Sequence, residues 1–166
     1  KKDSIDLINN AVSKIGENIV LKRVAYLDGN IFSYVHNSVS DGLGKIGVIL
    51  SLESEAEDLD EIGKNICMHI AAASPKSIDV DDLDKSLVNS EKEIIKQQLN
   101  DTGKPENILV KMLDGKMNKF YEENTLIRQK YVINPDQSIR DYLEISSKKI
   151  GYEISISKFI RFQIGS

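Results

Sequence analysis

The sequence predicts an α+β fold: two related subdomains of antiparallel sheet with covering helices, plus an inserted antiparallel helical coiled-coil hairpin. Three observations predict it. One phrase is written nearly twice, KIGENIVLKRVAYL from Lys14 to Leu27 and KIGYEISISKFIRF from Lys149 to Phe162. Period-two alternation at Ile19, Leu21, Ala25 and Leu27 runs through the first copy, as a half-buried strand requires, and strand-rich segments follow it. Two segments with one apolar stripe each at helical spacing are joined by DTGKP, residues 101–105.

Taken in order, Ile5, Leu7, Ile8, Ala11 and Val12 have helical spacing over Ser4 to Ser13, and Gly16 closes that helix just after Lys14. Ile19, Leu21, Ala25 and Leu27 then alternate as a first strand, and Asp28-Gly29-Asn30 signals a hairpin turn. Strands follow over Ile31 to His36 and Lys45 to Leu52, separated by a Gly-containing loop, Ser40 to Gly44. Leu59, Ile62, Ile66, Ile70 and Ala73 mark the buried stripe of a covering helix that Pro75 ends.

Asp79 to Asp82 reads as a helix N-terminal cap region, where carboxylates accept orphan amide hydrogens. Two helices, Ser86 to Asn100 and Pro105 to Tyr121, form the hairpin, with Gly103 as a left-handed cap and Pro105 at the second helix start. Leu87, Ile94, Ile95 and Leu99 face Leu109, Met112, Leu113, Met117 and Phe120, so two amphipathic arms zip together and leave outer faces that stay wet or find another protein. Met112 and Met117 fit zipper core better than a docking face. Thr125 to Pro135 reads as one or two short strands, Ser138 caps a helix to Lys149, and the second copy of the repeated phrase is a strand to Ile164. The predicted units are 1–82, 83–122 and 123–166.

Within the repeat, Ile19 matches Ile154, Leu21 matches Ile156, Arg23 matches Lys158, Val24 matches Phe159 and Leu27 matches Phe162. Helix, glycine and strand also arise together in unrelated α+β proteins. An internal duplication is the sharper reading, giving two sibling subdomains with equivalent central strands.

Composition narrows the function classes. The 166 residues are 40% hydrophobic and 29% charged, enough for one ordinary core or two small cores that share an interface. A net charge of -4 and only 6% aromatics with no Trp leave no basic field for nucleic acid or anionic lipid. The single Cys67 makes no internal disulfide, which fits a reducing compartment. No apolar run approaches the roughly 20 residues that span a bilayer, and no signal pattern opens the chain. The reading is a soluble, cytoplasmic protein without membrane or direct nucleic-acid contact.

Chemistry on small molecules is weakly signalled. Cys67 and His69 lie two apart on a helix and point to different faces, and His36 adds no helical spacing, so no metal site is expected. GLGKIG from Gly42 lacks the Lys-Ser/Thr ending of a phosphate loop and precedes a strand. Asp79, Asp81, Asp82 and Asp84 lack the glycine and terminal glutamate of a calcium loop. No nucleophile or acid–base set stands out, so neither an enzyme nor a cofactor is expected.

Several of these motifs occur together in a known order. IGENIVLKRVAYLDG, GKIGVILSL, NICMHIAAASPKSI, GKPENILVKMLDGKMNKF, YVINP and FIRFQIG resemble the bacterial elongation factor Ts family, from about Lys14 to Gly165. The resemblance implies guanine-nucleotide exchange on the GTPase elongation factor Tu, a core of two related αβ subdomains, and a helical hairpin that dimerises some members. Such a factor acts by linkage: if factor and nucleotide weaken each other's binding, docking the factor speeds nucleotide release. Small displacements of the phosphate loop and its magnesium ion suffice, with no covalent step.

The resemblance also implies contact residues. His69 in CMHIAA is one, although by itself a histidine on an amphipathic helix reads as a hydrogen-bonded packing residue. Ile46 and Gly47 are others; alone, Ile46 reads as core and Gly47 as a place where strands pack closely. Tyr131, Val132 and Ile133 resemble an apolar loop that touches the distal barrel domain of the GTPase, or are an ordinary strand end. Homodimerisation would use Leu87, Ile94, Leu99, Leu109, Met112 and Met117. A three-helix module and a Thr-Asp-Phe motif that open the family do not precede Lys14. The chain therefore reads as a fragment, either an exchange factor or a dimerisation and docking module without exchange activity of its own.

Overall fold

The computed structural model describes residues 2–100 and 102–165; Lys1, Asp101 and Ser166, the ends of two predicted units and the first residue of DTGKP, lie outside the described residues. Five helices, α1 (Lys2–Ile15), α2 (Asp60–Ala73), α3 (Lys85–Asn100), α4 (Glu106–Asn124) and α5 (Ile139–Ile150), accompany three strands, β1 (Asn30–Ser40), β2 (Leu43–Glu53) and β3 (Ser155–Gln163). The class is α+β. The strands form one antiparallel sheet in the order β1-β2-β3, with Phe32 opposite Leu50 and Leu50 opposite Phe159.

The core follows from the pleat of β2. Val48, Leu50 and Leu52 point to one face and are buried there against Ile62, Ile66 and Ile70 of α2, joined by Leu126, Ile139 and Leu143. Ala71 rather than Ala73 completes the buried face of α2. Cys67 also lies in this core, fully buried, and burial pushes its thiol up to about 12. Helix and sheet approach most closely at Gly63, where the Phe32 ring occupies the space a Cβ would need.

Local signals set the ends of the elements. Ser138 and Asp141 form a capping box at the start of α5, and Gly151 (φ 85) ends it in the left-handed region after Lys148 and Lys149. Ser74, at φ 51, closes α2 by donating its N–H to the Ile70 carbonyl. Helices α3 and α4 form a hairpin with its own apolar cluster, Ile95, Leu99 and Met117 buried and Leu109, Met112 and Phe120 packed beside them.

Three expectations change. Residues 16–28, which hold all of the first copy of the repeated phrase but its Lys14 and Ile15, run without strand pairing. They form a strap: Leu27 is buried, the Ser51 hydroxyl donates to the Asp28 carbonyl at 2.9 Å, and the Arg23 guanidinium sits 4.6 Å from the centre of the Phe162 ring. Ser51 alternates with Leu50 and Leu52, so this strap crosses the face opposite α2. Of the alternating set only Leu27 is buried, Ile19 and Ala25 are half-buried and Leu21 is exposed, so the segment lies against the sheet at a few points without a ladder.

Second, the other copy is β3, which pairs with β2. The two copies are therefore not equivalent strands of two sheets, and units 1–82 and 123–166 share one sheet. Third, Thr125 to Pro135 contains no regular strand. Leu126–Arg128 is a 3-10 turn, because the Arg128 and Gln129 N–H groups bond back to the Thr125 carbonyl, and only the single bridges Ser77–Thr125 and Lys130–Ser138 flank it. Among the described residues, no helix is long and apolar enough to cross a membrane.

Candidate functional site

A buried polar arrangement joins α2 to the loop 130–138. The loop is closed by its own backbone: Tyr131 N–H donates to the Gln137 carbonyl at 2.9 Å, and Asn134 N–H to the Tyr131 carbonyl at 3.1 Å. Tyr131 points inward. Its ring is buried and stacks on Tyr142 with centroids 4.5 Å apart, and Asn65 Nδ2 donates to the Tyr142 hydroxyl at 3.2 Å. Burial, then the neighbouring Tyr142 and Glu61, push the Tyr131 hydroxyl pKa up, so it stays protonated.

With Tyr131 anchored, the next two side chains turn out. Val132 and Ile133 are 45% and 54% exposed and form an apolar tip. A packed anchor with an exposed apolar pair beside it is how a rigid contact point is made, since little conformational freedom is left to lose on binding.

His69 lies beneath this tip, fully buried, its ring 6.2 Å from that of Tyr131. Val132 N–H donates to His69 Nδ1 at 3.3 Å, and His69 Nε2 lies 2.9 Å from Gln129 Oε1. It is the packing residue that the helix pattern suggests, placed to brace the loop from inside. Burial lowers its pKa despite the opposing Gln129 hydrogen bond, so the ring is neutral at pH 7.

A pH dependence follows. His69 is depressed when folded and near its ordinary value of about 6.5 when unfolded, so its contribution is complete above about 6.5 and is lost as pH falls through the folded value. The urea midpoint is expected to drop between about pH 7.5 and about pH 5, and to drop less in His69→Gln. Equal drops in both chains would assign the effect to other groups.

Ile46 and Gly47 sit elsewhere, on β2, opposite His36 and Val35 on one side and Gln163 and Phe162 on the other. Ile46 packs against the edge of the core. A Cβ at Gly47 would meet nothing within 4 Å, so strand packing does not require glycine there. Gly47 instead opens on a cavity of about 390 Å³ that Val20, Arg23 and Phe162 also line.

The loop base is framed by charge. Asp79 receives Arg128 Nε and Arg140 Nη2, both at 3.1 Å, and caps the 3-10 turn Val80–Asp82. Partial burial raises its carboxyl pKa, but the Val80 N–H and the two guanidiniums outweigh this and hold it below the usual range. Of the predicted dimerisation set, Leu99 and Met117 are buried within the hairpin, Leu87, Leu109 and Met112 are half-buried, and Ile94 is exposed.

Gln129 has no signal in the sequence: it lies within Thr125 to Pro135, which reads as one or two short strands. Only the 3-10 turn brings it under His69. Among the described residues, no three His, Cys, Asp or Glu side chains gather in a way that could hold a metal ion.

Comparison with known proteins gives the family of the chain. The family described as Elongation factor TS matches residues 1–166. Elongation factor Ts of Paracoccus denitrificans is 44% identical over 151 residues, covering 90% of this chain and 50% of that protein. The Bartonella bacilliformis protein of the same name is 41% identical over 165 residues, 96% of this chain and 54% of its own. That of Maricaulis maris is 40% identical over 168 residues, with 96% and 54% covered. The chain spans about half the length of the curated relatives it matches. A match along its full length, with several relatives at 40% identity or above, means that the chain belongs to the elongation factor Ts family.

Proposed function

We propose that this chain docks on elongation factor Tu and promotes release of GDP from it, acting by protein binding rather than as an enzyme. The observation that carries this reading is the apolar tip Val132–Ile133, turned outward beside the buried Tyr131 and bonded from below by His69. Exposed aliphatic side chains on a fixed backbone suit a flat apolar partner surface. In this reading His69 serves the contact from behind, Ile46 and Gly47 provide a second contact on β2, and residues 83–122 are a separate hairpin unit.

The test is release of a fluorescent GDP analogue from elongation factor Tu with and without the chain, run beside direct binding. Faster release is expected. Absence of binding would overturn the partner assignment, and binding without faster release would establish the alternative, a docking module with no exchange activity of its own. A second role is favoured by the hairpin surface, where Ile94, Ile108 and Val110 are exposed: pairing of two copies as a coiled coil. Sedimentation at high concentration should give a dimer mass, and a monomer mass there would rule the pairing out.

A further inference from the structure

The two ends of the hydrogen-bond chain under the loop are backbone groups with fixed roles. At one end the Gln129 side-chain Nε2 lies 2.8 Å from the Glu123 carbonyl and 3.5 Å from the Ala73 carbonyl, both of which only accept. That end of the amide is therefore its NH2, and Oε1 points at His69 as an acceptor. At the other end Val132 N–H only donates, so His69 Nδ1 carries no proton. The ring proton is then on Nε2, where Gln129 Oε1 receives it at 2.9 Å. Every link agrees in direction, and such chains polarise one another in a buried setting.

We propose that Gln129 is a positioning residue for the docking loop: by accepting from Nε2–H it locks His69 in one tautomer, and that tautomer holds the Val132–Ile133 tip. This rests on the docking reading above. Gln129 is itself fixed, being almost fully buried, with its carbonyl accepting from Ile139 N–H at 3.0 Å. Without its oxygen neither neutral tautomer is comfortable. A proton on Nε2 would be a buried donor with no acceptor, and a proton on Nδ1 would face the Val132 N–H, donor against donor. The lock also ties the tip to the ends of α2 and α4, through Ala73 and Glu123.

Nitrogen-15 NMR of the labelled chain tests this. The unaltered chain should show His69 with bare Nδ1 and protonated Nε2; a protonated Nδ1 would overturn the proposal before any substitution is made. Gln129→Met should populate both tautomers and speed Val132 amide exchange by about tenfold, with Leu50 exchange unchanged, as loss of one buried hydrogen bond implies. An unchanged tautomer and unchanged Val132 exchange in Gln129→Met would sink the lock. If Val132→Asp with Ile133→Asp leaves elongation factor Tu binding intact, the docking reading fails, while the NMR result still decides the lock.

Discussion

Gly63→Ala is expected to destabilise the fold by about 2 kcal/mol, against the usual direction of such a change. In an exposed helix interior the same substitution stabilises by about 1 kcal/mol, because alanine is the better helix former. Here the added methyl falls on the Phe32 ring. The clash reaches Cγ, close to the root of that side chain, so rotating the ring does not clear it, and the Phe32 backbone is held by its ladder with Leu50. Helix α2 must move off the sheet, or Phe32 must leave the core edge it packs against. Urea unfolding measures the cost. Combined with Phe32→Ala, which removes the clashing Cγ, the change should cost less than the two single substitutions summed, a non-additivity expected of residues in contact. A Gly63→Ala chain as stable as its parent would mean that α2 and β1 are not packed as described.

Replacing both Val132 and Ile133 with aspartate is expected to weaken binding to elongation factor Tu by about a hundredfold, with less than about 0.5 kcal/mol change in stability. Both side chains are exposed, so the folded chain tolerates the charges. A partner's apolar surface would not: each carboxylate would be stripped of water without gaining a hydrogen bond. The paired readout, affinity by titration and stability by unfolding, separates a lost contact from a lost fold. Undiminished affinity would remove the tip from the docking surface. Tyr131→Ala contrasts with this, since Tyr131 is buried against Tyr142 and its loss should lower stability and affinity together.

Elements whose geometry is set by nearby residues were legible in the sequence. The stripe of α2, the Ser138 cap and Gly151 end of α5, and the two hairpin arms depend on residues within a few turns of each other. The strap was not legible, because alternating residue types do not show whether a backbone finds a ladder, and here only Leu27 of the alternating set is buried. Residues 125–135 misled for a related reason: β-branched and apolar residues favour strands, but the backbone bonds of Arg128 and Gln129 return to Thr125. At the candidate site the residue types were visible and their depth was not. His69 sits on the buried side of α2, and its role depends on Gln129, sixty positions along the chain, which only the fold brings near.

The burial of Cys67 gives this protein a built-in reporter. It is the chain's only cysteine, fully enclosed beside Ile66 and Ile70, with a thiol pushed to about 12, so almost no thiolate exists near neutrality and no reagent can reach it while the core is closed. Modification by a thiol reagent therefore reports openings that expose the core, local or global. Run with and without elongation factor Tu, that labelling clock reads how far the proposed docking tightens the interior, without a fluorophore or an added residue.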